Sequence, residues 1–261
     1  MNGIFAADLA AYLILSPIVV YNFITHRWTG FLAWYSLSMF CSARVIGGAL
    51  GVRDASSMTA NIIQSVGVTP LILCVDGLVH EARTYRYPYA SRRLNWSVVV
   101  GTSVTMVVAI SLSIKACLDI FEDKAQSDDH SLWKTGSALV VVVWIFQIGW
   151  SIYSLQFHDK GIQGPGYQGG TALLRGALVA LAFVGVRVIY ALVAVCTESK
   201  DLSPVYGLMS VRVVLMFLPE LFATVAINVV GVRTRHLREV KDETDYGKLD
   251  VVQPTSVGIA A

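Results

Sequence analysis

Charge is scarce in this chain. Asp, Glu, Lys and Arg make up only 15% of its 261 residues, against about 25% in a soluble domain. With 55% apolar residues and a mean hydropathy of +0.60, the composition excludes a soluble enzyme and predicts an all-α, polytopic membrane protein. The net charge of +2 is too small to argue for a nucleic-acid partner. Cysteine is sparse as well. Cys41, Cys74, Cys117 and Cys196 show no CxxC or CxxH spacing, so no metal site or redox motif is visible. Cys117 and Cys196 fall at predicted outer helix ends. That leaves a disulfide open beside the plainer reading of two unpaired small residues. No basic segment precedes the first apolar stretch and no clear cleavage site follows it. The stretch therefore reads as a retained helix, not a signal peptide.

What the chain has in abundance is long apolar runs. About 20 apolar residues cross a bilayer, and seven segments meet that length: 5–25, 31–50, 59–80, 96–118, 132–157, 172–196 and 206–231. The expectation is a seven-helix transmembrane domain over 1–231 and a polar tail over 232–261. The loops are too short for a second domain, and no inverted repeat of the transporter kind is evident. The glycine-rich stretch 161–170 lacks the GK[ST] ending of a phosphate loop and reads as a flexible linker. Gly47 and Gly51 form a GxxxG pair that suits close packing inside the bundle or a dimer face; the oligomeric state stays open.

Basic residues set the expected orientation. Arg27, Arg83, Arg86, Arg92, Arg93, Lys160 and the tail's Arg233, Arg235, Arg238, Lys241 and Lys248 fall on one side; Arg53, Lys124 and Lys200 fall on the other, with Asp119, Glu122, Asp123, Asp128 and Asp129. The tail side is therefore expected to be cytosolic and the N-terminus lumenal or exterior, in a membrane taken to be the endoplasmic reticulum. Trp28, Tyr85, Tyr87, Tyr89, Trp96, Trp133 and Tyr206 sit at span ends, as an aromatic belt would.

Against this background the polar residues inside the spans stand out, because a carboxylate at the centre of a spanning helix costs several kcal/mol without a partner or a task. Depth follows from a helical rise of about 1.5 Å per residue. From the tail-side end, Glu220 lies at about 16 Å, Arg44 at about 20 Å, Arg187 at about 22 Å and Asp8 at about 25 Å, with Gln64, Trp144 and Gln147 at roughly 15–24 Å. Two arginines balance two carboxylates, as burial demands. A second group, Asp76, His80 and Glu81, lies nearer the tail side, and a third, Asn61, Tyr190 and Arg212, nearer the outer rim. Asn61, Ser65, Thr69, Asp76 and His80 share one helical face; so do Trp144, Gln147, Ser151 and Ser154. Pro219 removes a backbone hydrogen bond just before Glu220, which predicts a local kink.

Each of these residues also has a plainer reading. Arg44 and Arg187 either tie helices together or serve a site, and Asp76, His80 and Glu81 suit an interfacial packing group. Cys41 and Cys74 read as core. Trp34, Trp144 and Trp150 read as packing, although aromatic faces can stabilise a cation. A retinal Schiff base needs an intramembrane lysine, and the last span has none.

Three strings resemble a known family: HRWTGFLAWYSLSMFCSARVIGGAL at 26–50, SVGVTPLILCVDGLVHEAR at 65–83 and LPEL at 218–221. They are similar to fungal seven-span membrane proteins of secondary-metabolite pathways. These include membrane-bound terpene cyclases of the ascofuranone and ascochlorin type, and epoxide hydrolases of citreoviridin- and aurovertin-like polyketide pathways. The resemblance is best over spans 1–3 and 7. It implies an enzyme without metal, nucleotide or flavin that protonates an epoxide of a lipophilic polyketide or meroterpenoid and lets water, a hydroxyl or an alkene open it. Such chemistry needs a neutral carboxylic acid and an ionised carboxylate, which two carboxyls in unlike settings can supply. Under this resemblance Glu220 and Asp8 are the candidate pair, in either order, with Asp76 as the substitute. Arg44 and Arg187 would orient a carboxylate or a substrate oxygen, and Tyr190, Gln147, Gln64 and Trp144 would line the substrate site. The rival expectation is a non-enzymatic seven-span protein, either a lipid-responsive receptor or a small-molecule exporter.

Overall fold

The structure is a computed structural model that describes residues 2–54, 57–87, 91–121, 127–156, 164–197 and 209–237. The described residues form helices and turns, with no strand. In chain order the elements are α1 (Asn2–Arg53), α2 (Met58–Val66), α3 (Val68–Arg86), α4 (Arg92–Phe121), α5 (Ser127–Gln156), α6 (Pro165–Thr197), α7 (Met209–Arg212), a π-helical turn (Val213–Phe217) and α8 (Leu218–Arg233). They make seven helices long and apolar enough to cross a membrane: Gly3–His26, Trp28–Arg53, Thr59–Arg86, Arg93–Ala116, Ser131–Gln156, Pro165–Thr197 and Met209–Arg233. The protein is an all-α seven-helix bundle.

The first two spans share one helical assignment but not one axis. Phe23 and Phe31 lie tilted to one another at 5.7 Å, and Tyr12 meets Phe40 edge-on at 5.4 Å. A Cβ on Gly48 would lie 3.1 Å from Leu9. These contacts require two antiparallel arms that fold back near Arg27. Gly47 and Gly51 face Ile63 and Phe5 of the bundle itself, so the GxxxG pair serves internal packing.

Span 3 is the hub, with three quarters of its apolar window inside (75%). It packs on α1, α4, α5, α6 and α8. Gly77 allows this, since its backbone lies against Ala33, where a Cβ would overlap main-chain atoms. The span breaks at Gly67, between α2 and α3. Pro70 lacks the N–H that would reach the carbonyl of Val66 four residues back, so the ladder has a gap there.

Several expectations need correction. Arg83 and Arg86, expected in a loop, are buried in the last turns of α3. Arg86 bonds Thr171, Leu155 and the Tyr167 and Tyr87 hydroxyls, which fixes span 3 to spans 5 and 6. Tyr85 and Tyr87 are buried and not part of a lipid-facing belt, whereas Trp28 and Trp96 are exposed. The second half of the glycine-rich stretch is the first turn of α6, where Gly170 rests on Ala82 and Arg86 of α3. Residues 161–163, Tyr89, Tyr206 and 238–261 lie outside the described residues. Cys196 is a free cysteine.

Candidate functional site

Five spans contribute to one buried polar network. Asp8 and Tyr12 come from the first arm of α1, Arg44 from its second arm and Gln64 from the end of α2. Arg187 comes from α6 and Glu220 from the first turn of α8. Glu220 is fully buried, and Asp8, Arg44 and Arg187 are each 1% exposed. Nε of Arg187 donates to Oε1 of Glu220 at 3.0 Å, and Nη2 of Arg44 donates to Oε2. Arg44 then turns to the other carboxyl. Its Nη1 donates to Oε1 of Gln64 at 2.6 Å and lies 3.5 Å from Oδ2 of Asp8. The Gln64 amide donates to that same Oδ2. The order is therefore Arg187, Glu220, Arg44, Gln64, Asp8.

Local sequence explains this convergence. Gly67 leaves room for the Arg44 guanidinium, because a Cβ there would lie 2.8 Å from its Cζ. Ahead of Glu220 the expected kink takes the form of the π-helical turn, in which the Leu218 N–H reaches the Val213 carbonyl. Pro219 has no N–H to offer Leu215, and the extra residue in the turn absorbs that loss. Arg212 is buried near the same place, within electrostatic reach of Asp8 and Tyr190.

The network's two ends differ in hydrogen bonding. Both oxygens of Glu220 are engaged by guanidinium groups. Asp8 uses only Oδ2; its Oδ1 is buried without a hydrogen-bond partner, as is the Tyr12 hydroxyl one helical turn later. Tyr12 is fully buried and lies in the field of Arg44, Glu220 and Asp8. Depth reasoning over charged residues passed it by, although its i+4 spacing from Asp8 places both on one face.

Other expected site residues lie elsewhere. Asp76 accepts from Thr102 Oγ1 of α4 at 2.6 Å, twelve residues and about 18 Å of helix from Gln64. Trp144 packs on Gly185 and donates to the Leu181 carbonyl at 2.9 Å. Gln147 donates to the Ile72 carbonyl at 3.3 Å. Both tie α5 to its neighbours. Tyr190 stays beside the network, its ring 5.7 Å from the Arg187 guanidinium carbon. Glu81 separates from Asp76 and His80. It meets Nδ1 of His26 at 2.6 Å, while Nε2 of His26 faces the Gly231 carbonyl at 3.1 Å. Asn22 donates to Asn228 at 3.1 Å on the same side. This second network joins α1, α3 and α8; the sequence points to Glu81, grouped there with Asp76 and His80, and not to its partner His26.

Among the described residues, no three His, Cys, Asp or Glu side chains gather as metal ligands would. No curated protein and no solved structure matches the chain. The model of a domain of unknown function, DUF7702, matches residues 1–237, and the chain belongs to that family.

Proposed function

We propose that this protein is a membrane-embedded acid–base enzyme that opens epoxides of lipophilic substrates, by cyclisation or hydrolysis. The observation that carries the reading is the asymmetry between the two buried carboxyls. Glu220 has both oxygens held by arginines, whereas Asp8 leaves Oδ1 without a hydrogen-bond partner, one helical turn from Tyr12, whose hydroxyl also has none. The resemblance of 26–50, 65–83 and 218–221 to fungal terpene cyclases and epoxide hydrolases supports the same chemistry.

In this reading Glu220 is the fixed anion that holds Arg44 against Asp8. Asp8 in its acid form passes the Oδ1 proton to the epoxide oxygen as the C–O bond breaks. Water or an internal hydroxyl attacks the carbon and returns its own proton to the Asp8 carboxylate; an alkene attacks with later loss of a proton to the same group. Tyr12 donates a hydrogen bond to the opening oxygen. The bundle end carrying Arg233 faces the cytosol, with the N-terminus in the lumen of the endoplasmic reticulum, because the basic loop residues gather at that end.

The test uses membranes carrying the full chain and an epoxidised polyene, with product mass as the readout. Conversion by the wild type is expected to fall about 100-fold in Asp8→Asn, the scale of a lost general acid, with the variant still present in the membrane. Undiminished conversion by Asp8→Asn overturns the assignment. A second reading draws on the saturation of Glu220, whose bonds by themselves tie spans 2, 6 and 7 in a receptor or exporter. That protein would leave the compound's mass unchanged and alter only its distribution across the membrane.

A further inference from the structure

A cleft between spans 3, 4 and 5 lies apart from the network just described. Asp76, His80, Arg83, Asn95, Val98, Val99 and Trp150 line it. Arg83 is its unusual member. The side chain is 6% exposed, yet its partners are all neutral. Nε donates to Asn95 Oδ1 at 2.9 Å and Nη1 to Ser154 Oγ at 2.5 Å. The guanidinium carbon lies 4.3 Å over the Trp150 ring and 5.7 Å from the Tyr87 ring. No carboxylate pairs with it among the described residues. Two more deeply buried guanidiniums, Arg44 and Arg187, both have Glu220. A buried cation without a counter-charge is costly, and Arg83 forms one wall of a narrow cleft that opens between spans 3, 4 and 5.

Position narrows the counter-charge. Arg83 is three residues from the end of α3, Asn95 is in the first turn of α4, and Trp150 and Ser154 are in the last turns of α5. All lie near the ends of their candidate spans, at the bundle end that carries Arg233, where the headgroups of a bilayer matched to those spans would meet them. Phe146 stacks on Trp150 at 6.2 Å and Trp150 on Tyr153 at 5.8 Å. Phe146 and Tyr153 are exposed, so an aromatic ladder leads from the cleft along the outer face of α5, where an acyl chain would lie. Asp76, held by Thr102, sits seven residues or about 10 Å deeper on α3 than Arg83. Its carboxyl keeps an anion at the Arg83 end.

We infer that this cleft binds the phosphate of an anionic membrane lipid, with Arg83 as its counter-charge, Asn95 beside it and the Phe146–Trp150–Tyr153 ladder along the acyl chain. Basic pockets between helices at a headgroup level bind lipids in this way. The inference is independent of the epoxide chemistry.

Native mass spectrometry of the full chain in a neutral detergent tests it, with phosphatidylglycerol and phosphatidylcholine of identical acyl chains as probes. The wild type is expected to retain phosphatidylglycerol about tenfold better, as one charge-assisted hydrogen bond provides. Equal retention of the two lipids by the wild type overturns the proposal without any variant. Arg83→Gln is expected to abolish the preference, while Arg93→Gln, an exposed cation at the same end, preserves it. A loss in both variants alike would mean general surface charge and overturns the site. Millimolar inorganic phosphate is expected to leave the bound lipid in place; displacement by it overturns the lipid as occupant.

Discussion

Glu220 and Asp8 show how two residues in one network carry different loads. Glu220 pairs with Arg44 and Arg187 at once, one carboxylate oxygen to each. Glu220→Gln removes that charge and leaves two buried guanidiniums against one remaining carboxyl. Breaking a buried pair costs about 3–5 kcal/mol, so the variant is expected to accumulate poorly and to melt well below the wild type in detergent. Arg187→Gln in the same chain should recover part of the loss. Strict additivity of the two substitutions in a melting series would show that the groups are not coupled. Gly67 gives a second prediction. A methyl group there would fall 3.0 Å from Nε and 2.8 Å from Cζ of Arg44, and a side chain 1% exposed has nowhere to swing. Gly67→Ala is expected to cost about 1–3 kcal/mol, as overpacking does. Gly149→Ala, inside α5 with open space at its Cβ, is expected to hold or slightly raise the melting temperature, since alanine favours the helix over glycine. Equal effects of the two would remove the steric account.

At the scale of elements, the last span is built around one proline. The π-helical turn Val213–Phe217 inserts one extra residue ahead of Pro219, and an added residue rotates what precedes it by about 100° relative to a continuous α-helix. That rotation is what turns Arg212 and Met216 inward, both 3% exposed. Pro219→Ala restores the N–H that an α register needs. It is expected to turn α7 away from α1, where the Met209 side chain now reaches to 3.4 Å from the Cβ position of Gly3. Cysteines at 3 and 209 should be bridged by a short bifunctional thiol reagent in the parent and poorly in Pro219→Ala. Unchanged cross-linking would show that packing on α6 holds the turn without the proline.

For the whole molecule, the orientation proposed from the basic residues, with the Arg233 end in the cytosol, can be checked by glycosylation mapping. Glycosylation acceptor sites inserted at 122–126 are expected to be modified in microsomes, and sites inserted at 88–90 to remain unmodified. The reverse pattern would invert the bundle in the membrane. Span 3 holds the bundle together, because its faces meet α1, α4, α5, α6 and α8. Its two halves also serve different places: Gln64 in the network of Asp8 and Glu220, and Asp76 and Arg83 in the cleft toward spans 4 and 5.

Hydropathy and length determined the seven spans by themselves, because a bilayer rewards apolar length regardless of what packs where. Depth arithmetic also placed Asp8, Arg44, Gln64, Arg187 and Glu220 in one layer, since helical rise is the same in every span. Rotation about each helix axis and the choice of neighbours were not legible, because both depend on contacts between segments far apart in the chain. Only the tertiary structure decided that Glu220 takes both arginines, that Asp8 and Tyr12 keep open polar atoms, and that Gln147 and Trp144 bond backbone carbonyls instead. The same holds at the Arg233 end. Arg83 and Arg86 look like loop charges in the sequence, and the last turns of α3 bury them against α5 and α6.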